Sequence, residues 1–510
     1  MKILSPSQIY KADQITIANQ GITSLQLMER VGKLCADWIV KNLKSENKLT
    51  YYIFCGVGNN GGDGLVIARL LLAQKFNIKV FIVNFSKKQS DDFLENLERL
   101  KNLNFWPIVI NESDSFPKIE DNVVIIDAIF GLGLKRSPTG FTKRLIQYIN
   151  TSNQFILSID FPSGLYANKT VEDKNAVIKA NHTLTFQSPK LAFLLPDNQE
   201  YLKTWEILDI GLDSSFIAKL PSNLTLIFKE QIIDFYKERP SFSHKGNFGH
   251  ALLIGGSFGK MGAVVLAIKA ANKIGSGLVT SLVPNSGYPI VQNSIPEAMC
   301  VTSGKDVIIG FENKIKANAI GIGMGMGQNS TTKKAFLSFL EQNKTSLVLD
   351  ADALNCLAQH PEGLKYLPKK TILTPHPKEF ERLVGAWKND YEKLEKLKSF
   401  SKSYNVIVVL KGAFTVIAYK NNLYFNSTGN QALATGGSGD VLGGIITGLL
   451  AQHYNALQAA ILGVFIHGLT ADIAIAENYT YETFIASDII KFIPKAFKQI
   501  LNNVQKKHLN

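Results

Sequence analysis

The run Thr435-Gly436-Gly437-Ser438-Gly439-Asp440-Val441-Leu442-Gly443-Gly444 places glycines, a hydroxyl and one carboxylate immediately before an apolar, helix-like stretch from Ile445 to Leu450. Glycine admits φ > 0 and lets backbone N–H groups close on a ligand. The helix that follows contributes the positive end of its dipole, so turn and helix together make an anion hole. A carboxylate at the rim repels the anion it borders. Its presence makes sense as a base that takes a proton from an attacking hydroxyl. The competing reading makes Asp440 an N-cap of the helix.

A second glycine-rich loop runs from Cys55 to Gly64, with five glycines in the nine positions 56–64, ahead of a helix expected to begin near Leu65. Its N–H groups can cradle phosphate. Gly56, Gly58 and Gly61 fit GxGxxG, but Asn84 stands where a ribose-binding acid belongs and no Walker lysine is present. The carbonyls of Asn59 and Asn60 suit a weakly hydrated monovalent cation better than Mg²⁺ or Zn²⁺. Two further loops follow strand-like runs: Ile126 to Gly133, carrying Asp127, and Ser158 to Leu165, carrying Asp160 and Ser163. Three oxygen-bearing loops at strand ends fit one shared pocket. The alternative is that each Asp caps the next helix or turn.

In the second half, His244–His250, Gly255–Ala263, Leu349–Asn355, Thr374–Phe380 and Lys411–Thr415 carry further candidates. Pro375 and Pro377 hold His376 in an extended turn, where function concentrates; a structural histidine is the alternative. Asp350 and Asp352 form either a metal pair or, with Asp352, the cap of a helix starting at Ala353. Lys411 and Thr415 sit at a strand end, ready for nucleotide phosphate.

These loops need a scaffold. Ser24 is placed to cap a helix whose apolar positions Leu25, Met28, Val31, Leu34, Cys35, Trp38 and Ile39 recur at helical spacing. Apolar runs at Tyr51–Cys55, Val80–Val83, Val123–Ile126 and Phe155–Ile159 alternate with helical patterns such as Asp91–Asn102. That alternation indicates a parallel, doubly wound sheet. A second α/β pattern starts near His250, with strands expected at Ala251–Gly255, Leu278–Val283, Ala319–Gly321, Ser346–Leu349, Val406–Leu410 and Phe414–Tyr419. Its helices include Met261–Ile274 and Leu457–Ile475. At 510 residues two domains are expected, divided near residue 220.

Net charge is +13, from 55 basic and 42 acidic residues, but the lysines are scattered and the clearest basic stretch is the tail from Lys491 to Lys507. No aromatic-interleaved basic stripe appears, so nucleic acid is not an expected partner. Apolar stretches such as Ala459–Ile466 are short for a bilayer and Met1–Tyr10 has no signal-like run, so neither membrane nor export is expected. Cys35, Cys55, Cys300 and Cys356 form no CxxC pair, which suits reduced thiols in a cytoplasmic protein.

The ten-residue glycine loop, Asp127-Ala128-Ile129-Phe130-Gly131 and Asp160-Phe161-Pro162-Ser163-Gly164 resemble the YjeF N-terminal family of NAD(P)H-hydrate epimerases, over roughly residues 1–215. That resemblance implies a Rossmann-like, doubly wound, three-layer domain. Asn60, Asp127 and Ser163 are then expected as K⁺ ligands. Asn59, Asn60, Gly61, Gly62 and Asp63, the loop Gly131, Leu132, Gly133, Leu134, Lys135, Arg136 and Ser137, and Asp160 are expected to contact substrate, with Asp160 as acid/base. Leu132 stands where many members have Thr.

The second set, from about His244 to Asp472, resembles the carbohydrate-kinase-like NAD(P)H-hydrate dehydratases of the ribokinase-like superfamily, which implies a ribokinase-like α/β domain over residues 225–510. It implies that Ala263, Gly325, His376 and Asp440 contact the hydrate. Lys411, Gly412, Ala413, Phe414, Thr415 and Gly439 are implied in the nucleotide site. Asp440 would act beside the reacting hydroxyl. Together the halves resemble the bacterial bifunctional NAD(P)H-hydrate repair enzymes. The partners this implies are NADHX and NADPHX, with ADP as co-substrate giving AMP and phosphate, the S epimer being dehydrated and the R epimer converted to it. K⁺ in the first half, Mg²⁺ in the second and a homo-oligomer are expected. The alternative is a small-molecule kinase of the hydroxymethylpyrimidine or thiazole type fused to a dinucleotide-binding module.

Overall fold

Short apolar runs that bury both faces alternate with helices that bury one, and this pattern builds two mainly parallel sheets. A computed structural model describes residues 1–43, 49–311 and 315–508, the last six as backbone alone. Lys506 and Lys507 of the basic tail therefore lie outside the described side chains. The chain divides into two units, Met1–Ser222 with Asn389–Tyr391, and Asn223–Lys388 with Glu392–Asn510.

The first unit contains α1 (Pro6–Gln20), α2 (Ser24–Asn42), β1 (Thr50–Cys55), α3 (Asn59–Ala73), β2 (Asn77–Val83), α4 (Asp91–Lys101), β3 (Ile108–Ile110), β4 (Val123–Ala128), α5 (Gly140–Asn150), β5 (Phe155–Ile159), β6 (Ala180–Phe186), β7 (Leu202–Leu208) and α6 (Ser214–Lys219). The seven strands run parallel in the order β3-β2-β1-β4-β5-β6-β7. Alternate β1 residues serve opposite cores: Ile53 and Cys55 pack with Leu65 and Ile67, Tyr52 and Phe54 with Phe81 and Ile125.

Two local expectations fail here. Thr23, not Ser24, caps α2: its hydroxyl accepts from Gln26 N at 3.1 Å while the Gln26 side chain accepts from Thr23 N at 2.8 Å. And α3 begins at Asn59, six residues before Leu65. Gly58 is the N-cap, and Gly61, Gly62 and Gly64 form no loose loop; they lie in the first helical turns, packed close against their neighbours. A Cβ on Gly61 would stand 1.7 Å from Gly56 O, so packing overrides helix propensity.

The second unit contains β8 (Leu224–Ile227), α7 (Lys229–Ile233), β9 (His250–Ile254), α8 (Met261–Lys273), β10 (Leu278–Val283), α9 (Tyr288–Ser294), β11 (Met299–Thr302), β12 (Ala319–Ile322), α10 (Ser330–Gln342), β13 (Ser346–Leu349), α11 (Asp352–Gln359), β14 (Ile372–Leu373), α12 (Pro377–Val384), α13 (Asp390–Tyr404), β15 (Ile407–Leu410), β16 (Val416–Tyr419), β17 (Asn422–Asn426), α14 (Ser438–Ala451), α15 (Ala456–Ala476) and α16 (Ala486–His508). Its ten strands run β11-β10-β9-β12-β13-β14-β15-β16-β17-β8. Among the described residues, only the β15–β16 and β16–β17 pairs of this sheet are antiparallel. α15 is long and apolar enough to cross a membrane by length and composition, but 72% of its most apolar window is buried in the fold, as a core helix requires.

α14, which carries Asp440, lies against α8 through glycine. A Cβ on Gly444 would stand 2.2 Å from Ala267 O, and one on Gly448 2.4 Å from a side-chain carbon of Ile274. Because the first obstacle is backbone, Gly444→Ala is expected to cost about 1–3 kcal/mol, the usual penalty of overpacking. A lowered urea midpoint would be the readout; an unchanged midpoint would mean that α14 shifts freely.

Candidate active sites

In an open parallel sheet, ligands bind where strand order reverses, outside the carboxyl ends of the strands. In the first unit this point lies between β1 and β4. Gly56 N donates to Ala128 O at 3.0 Å, and a Cβ on Gly56 would meet Ile129 O at 2.0 Å. The two strand ends close together, and a cavity of about 1090 Å³ opens above them. Asn59, Asn60, Asp63, Gly131 to Arg136 and Asp160 all line it. Gly61 and Gly62 lie beneath, their missing side chains filled by the Gly56 carbonyl and the Met28 sulfur. Ser137 is not in the lining.

Asp160 follows β5 with φ +63°, a left-handed conformation that a non-glycine residue adopts at a cost. Its Oδ2 accepts from Leu132 N at 3.1 Å, and its Oδ1 faces Thr185 Oγ1 at 3.4 Å and Lys190 Nζ at 3.7 Å. Lys190 is 2% exposed and donates to Thr185 Oγ1, Phe186 O and Ser188 O at 2.9, 2.9 and 3.0 Å. Burial lowers its ammonium below the usual lysine range, against the pull of Asp160 and Asp13. Asp63 is pushed well above the carboxylate range by burial and then by Asp160 and Asp13. Lys190 and Asp13 had no signal in the sequence. Each belongs to no motif, and only the closing of the fold brings them to Asp160.

Asp127, at the end of β4, is buried and accepts four hydrogen bonds: Ser163 Oγ (2.5 Å) and Ile129 N (3.3 Å) on Oδ1, Ser158 Oγ (2.8 Å) and Ser163 N (2.9 Å) on Oδ2. Phe130 N donates to Ser163 Oγ at 2.8 Å. These bonds favour the carboxylate, while burial raises its pKa more strongly. A Cβ on Gly131 would stand 3.2 Å from Asn60 Oδ1, and Asn60 Nδ2 is buried without a hydrogen-bond partner. Asn60 and the Asp127–Ser163 pair thus flank one short loop.

The second unit repeats the geometry between β9 and β12. Gly256 N donates to Met324 O at 2.9 Å, and a Cβ on Gly255 would meet that oxygen at 2.4 Å. Gly325, at φ +64°, places its Cα beside Ala263, where an added Cβ would stand 3.1 Å from the alanine methyl. Asp352 does not cap α11; it is the first helical residue, with its carboxylate accepting from Gly327 N at 2.8 Å. It holds the loop carrying Gly325.

Lys411 is not left open for phosphate. Its Nζ donates to Asp350 Oδ1 at 2.9 Å and lies 3.9 Å from Glu379 Oε2. Burial opposes its charge, but the two carboxylates outweigh that and hold the ammonium above its ordinary value. Asp350 is thereby taken up by a cation, and no group of three or more metal-ligating side chains occurs among the described residues. His376 caps α12, with Glu379 N donating to Nδ1 at 3.3 Å and His376 N to Glu379 Oε2 at 2.8 Å. Gly412 to Thr415 form a tight turn in which Thr415 Oγ1 donates to Gly412 O at 3.0 Å.

α14 is capped by Gly437 at φ +87°, and Asp440 lies in its first turn, not at the cap. Gly439 faces Lys411: a Cβ there would stand 3.3 Å from Nζ. Asp440 is raised to about 7 by burial and then by Asp350, against Lys411. Beneath the turn, His467 Nε2 lies 3.0 Å from Ser438 O, and burial lowers the imidazole to about 4. The structure therefore gathers Asp350, His376, Glu379, Lys411, Gly439 and Asp440 around the start of α14.

Two switch-point sites, one with a carboxylate under an apolar-walled cavity and one with a helix-start anion hole, define a two-site α/β enzyme. Profiles described as YjeF-related protein N-terminus and as NAD(P)H-hydrate dehydratase match residues 24–192 and 251–495. The bifunctional NAD(P)H-hydrate repair enzyme Nnr of Moorella thermoacetica is 32% identical, over 99% of this chain and 98% of its own. That of Coxiella burnetii is 33% identical over 94% and 96%. An ADP/ATP-dependent NAD(P)H-hydrate dehydratase from Bacillus subtilis, solved with ATP/Mg²⁺, is 30% identical over 55% of this chain and 99% of that one, with a TM-score of 0.48. The chain belongs to the bifunctional NAD(P)H-hydrate repair enzymes, joining an epimerase to a dehydratase. The kinase alternative is not favoured.

The raised Asp440 has a cost for stability. Between pH 3.8 and about 7 the folded state keeps a proton that the unfolded state has released, so the folded state loses stability as pH rises through that window. Asp440→Asn is expected to raise the thermal midpoint of the ligand-free protein at pH 8 by several degrees, with the gain vanishing near pH 4. A lower midpoint at pH 8 would contradict this.

Proposed function

We propose that the cavity of the first unit, residues 1–215, epimerises R and S NAD(P)H hydrates and that the α14 site, within residues 225–510, dehydrates the S epimer. The observation that carries the second assignment is Asp440: a carboxyl poised near neutrality at the positive end of α14, beside Gly439 and Lys411. The hydrate carries a hydroxyl on a ring carbon next to nitrogen. Hydroxide leaves poorly, phosphate well. Asp440 takes the hydroxyl proton as the oxygen attacks the terminal phosphate of the nucleotide, and the N–H groups at the start of α14 stabilise the charge of the transfer. The ring-nitrogen lone pair then expels phosphate, and loss of a ring proton restores the dihydropyridine. With ADP as co-substrate the other product is AMP.

In the first unit Asp160 is the proton-transfer group, and Lys135 and Arg136 on the cavity rim suit the dinucleotide phosphates. The oxygens of Asn60, Asp127 and Ser163 around the Phe130–Gly131 loop fit K⁺, which would supply a fixed positive charge beneath the substrate. Mg²⁺ is expected to arrive with the nucleotide phosphates, since such sites use few protein carboxylates. The four unpaired cysteines support a cytoplasmic setting. Exposed Met299 and Val301 on edge strand β11, beside Tyr288 and Ile290, support a homo-oligomer.

The test is recovery of dihydronicotinamide absorbance from a mixture of hydrated NADH epimers with ADP, Mg²⁺ and K⁺. Wild-type protein is expected to recover the whole mixture only with nucleotide. Asp160→Asn is expected to stop at one epimer, with epimerisation down about 10²–10⁴-fold. Asp440→Asn is expected to bind nucleotide yet lose dehydration; wild-type turnover in it would refute the phosphoryl-transfer route.

A further inference from the structure

Asp13 lies outside every motif, yet its position is tightly fixed. Ala12 and Thr16 face the core from α1, and Thr16 Oγ1 donates to Ala12 O at 2.7 Å and accepts from Asp213 N at 2.8 Å. Lys2 Nζ donates to Ala218 O and Leu220 O, each at 2.6 Å, and Ser188 Oγ to Lys2 O at 2.7 Å, tying the segment before α1 to the loop that carries Lys190. So held, Asp13 lines the same cavity as Asp160 and Lys190. Among the described residues its carboxyl has no hydrogen-bond partner, whereas Asp160 has both oxygens engaged.

Epimerisation by ring opening needs two proton transfers. One base removes the proton of the hydroxyl; the O–H electrons form a carbonyl, the carbon–nitrogen bond breaks, and its electron pair goes to the ring nitrogen. That nitrogen must then take a proton from an acid. Rotation about the adjoining carbon–carbon bond exposes the other carbonyl face, nitrogen re-adds, and both protons return. No oxidant or reductant is consumed. Leu132 N occupies one oxygen of Asp160 and Thr185 and Lys190 face the other, so the nitrogen proton falls to a second group.

We propose that Asp13 is a second catalytic carboxyl of the epimerase cavity, exchanging its proton with the ring nitrogen while Asp160 exchanges one with the hydroxyl. The inference rests on the assignment of this cavity to epimerisation. Burial and then Asp160 push Asp13 up to about 6, against Lys190, so it can hold a proton close to neutral pH. The other charged groups of the cavity are Asp63 on α3, Asp92 on α4, and Lys135 and Arg136 after β4. Lys190, with all three donors spent on fixed acceptors, keeps its place between competing carboxylates.

Asp13→Asn keeps the shape and removes the proton, so epimerase kcat is expected to fall about 10²–10⁴-fold with KM changed less than about threefold. Dehydration of the S epimer by the same protein serves as the folding control. In wild type, epimerase kcat/KM is expected to fall as pH rises through about 6, the value of the free carboxyl. That limb should be absent in Asp13→Asn and present in Asp13→Glu. An Asp13→Asn rate close to wild type, or an unchanged limb, overturns the proposal. If Asp160→Asn is inactive while Asp13→Asn is normal, only this inference fails. If Asp160→Asn also epimerises normally, the site assignment itself fails.

Discussion

Both sites depend on one steric constraint, the approach of a glycine to the carbonyl that follows a neighbouring strand. Gly56 against Ile129 O and Gly255 against Met324 O leave no room for a Cβ, at 2.0 and 2.4 Å. The same closure lets Gly56 N and Gly256 N find acceptors at 3.0 and 2.9 Å, so the backbone stays hydrogen-bonded as it turns away from the sheet. Only then can α3 and α8 start close to the strand ends and leave their first turns facing a ligand. Any side chain at these glycines would pry apart the strands that hold the catalytic loops.

On that frame each unit sets one lysine among carboxylates. Lys190 meets Asp160 and Asp13; Lys411 meets Asp350 and Glu379, with Asp440 close by. Each lysine offsets part of the repulsion that crowded acids would otherwise carry into the fold. The compensation is incomplete. Burial first, and the neighbouring carboxylates second, keep Asp13 raised to about 6 and Asp440 to about 7, which leaves each carboxyl able to trade protons at neutral pH. Stability is lost at the positions where chemistry needs a reluctant charge.

The outlines of both sheets were legible because buried strands read as short apolar runs, and β1, β4, β5, β9, β10 and β13 lie close to where those runs fall. β3, β6 and β7 were not. β3 is an apolar triplet, Ile108–Ile110, too short to stand out, whereas β6 and β7 mix polar and apolar side chains, and Asn181 or Lys203 reads as loop until a neighbouring strand supplies the pairing. The start of α3 was missed for a related reason. Glycine-rich sequence argues against helix by intrinsic preference, and only contact with Gly56 explains why glycine is required there.

The sequence by itself determined the two α/β patterns, the family, and the loops carrying Asp127, Asp160, His376, Lys411 and Asp440. These are local signals, written within a few residues of a strand end. Tertiary structure alone decided that Lys411 neutralises Asp350, that Asp352 holds a loop, and that Asp13 and Lys190 stand in one cavity with Asp160. Those pairings join residues far apart in the chain, and no local spacing encodes them. Protonation follows the same division. A carboxylate's pKa is set by burial and by the charges around it, and both exist only once the chain has closed.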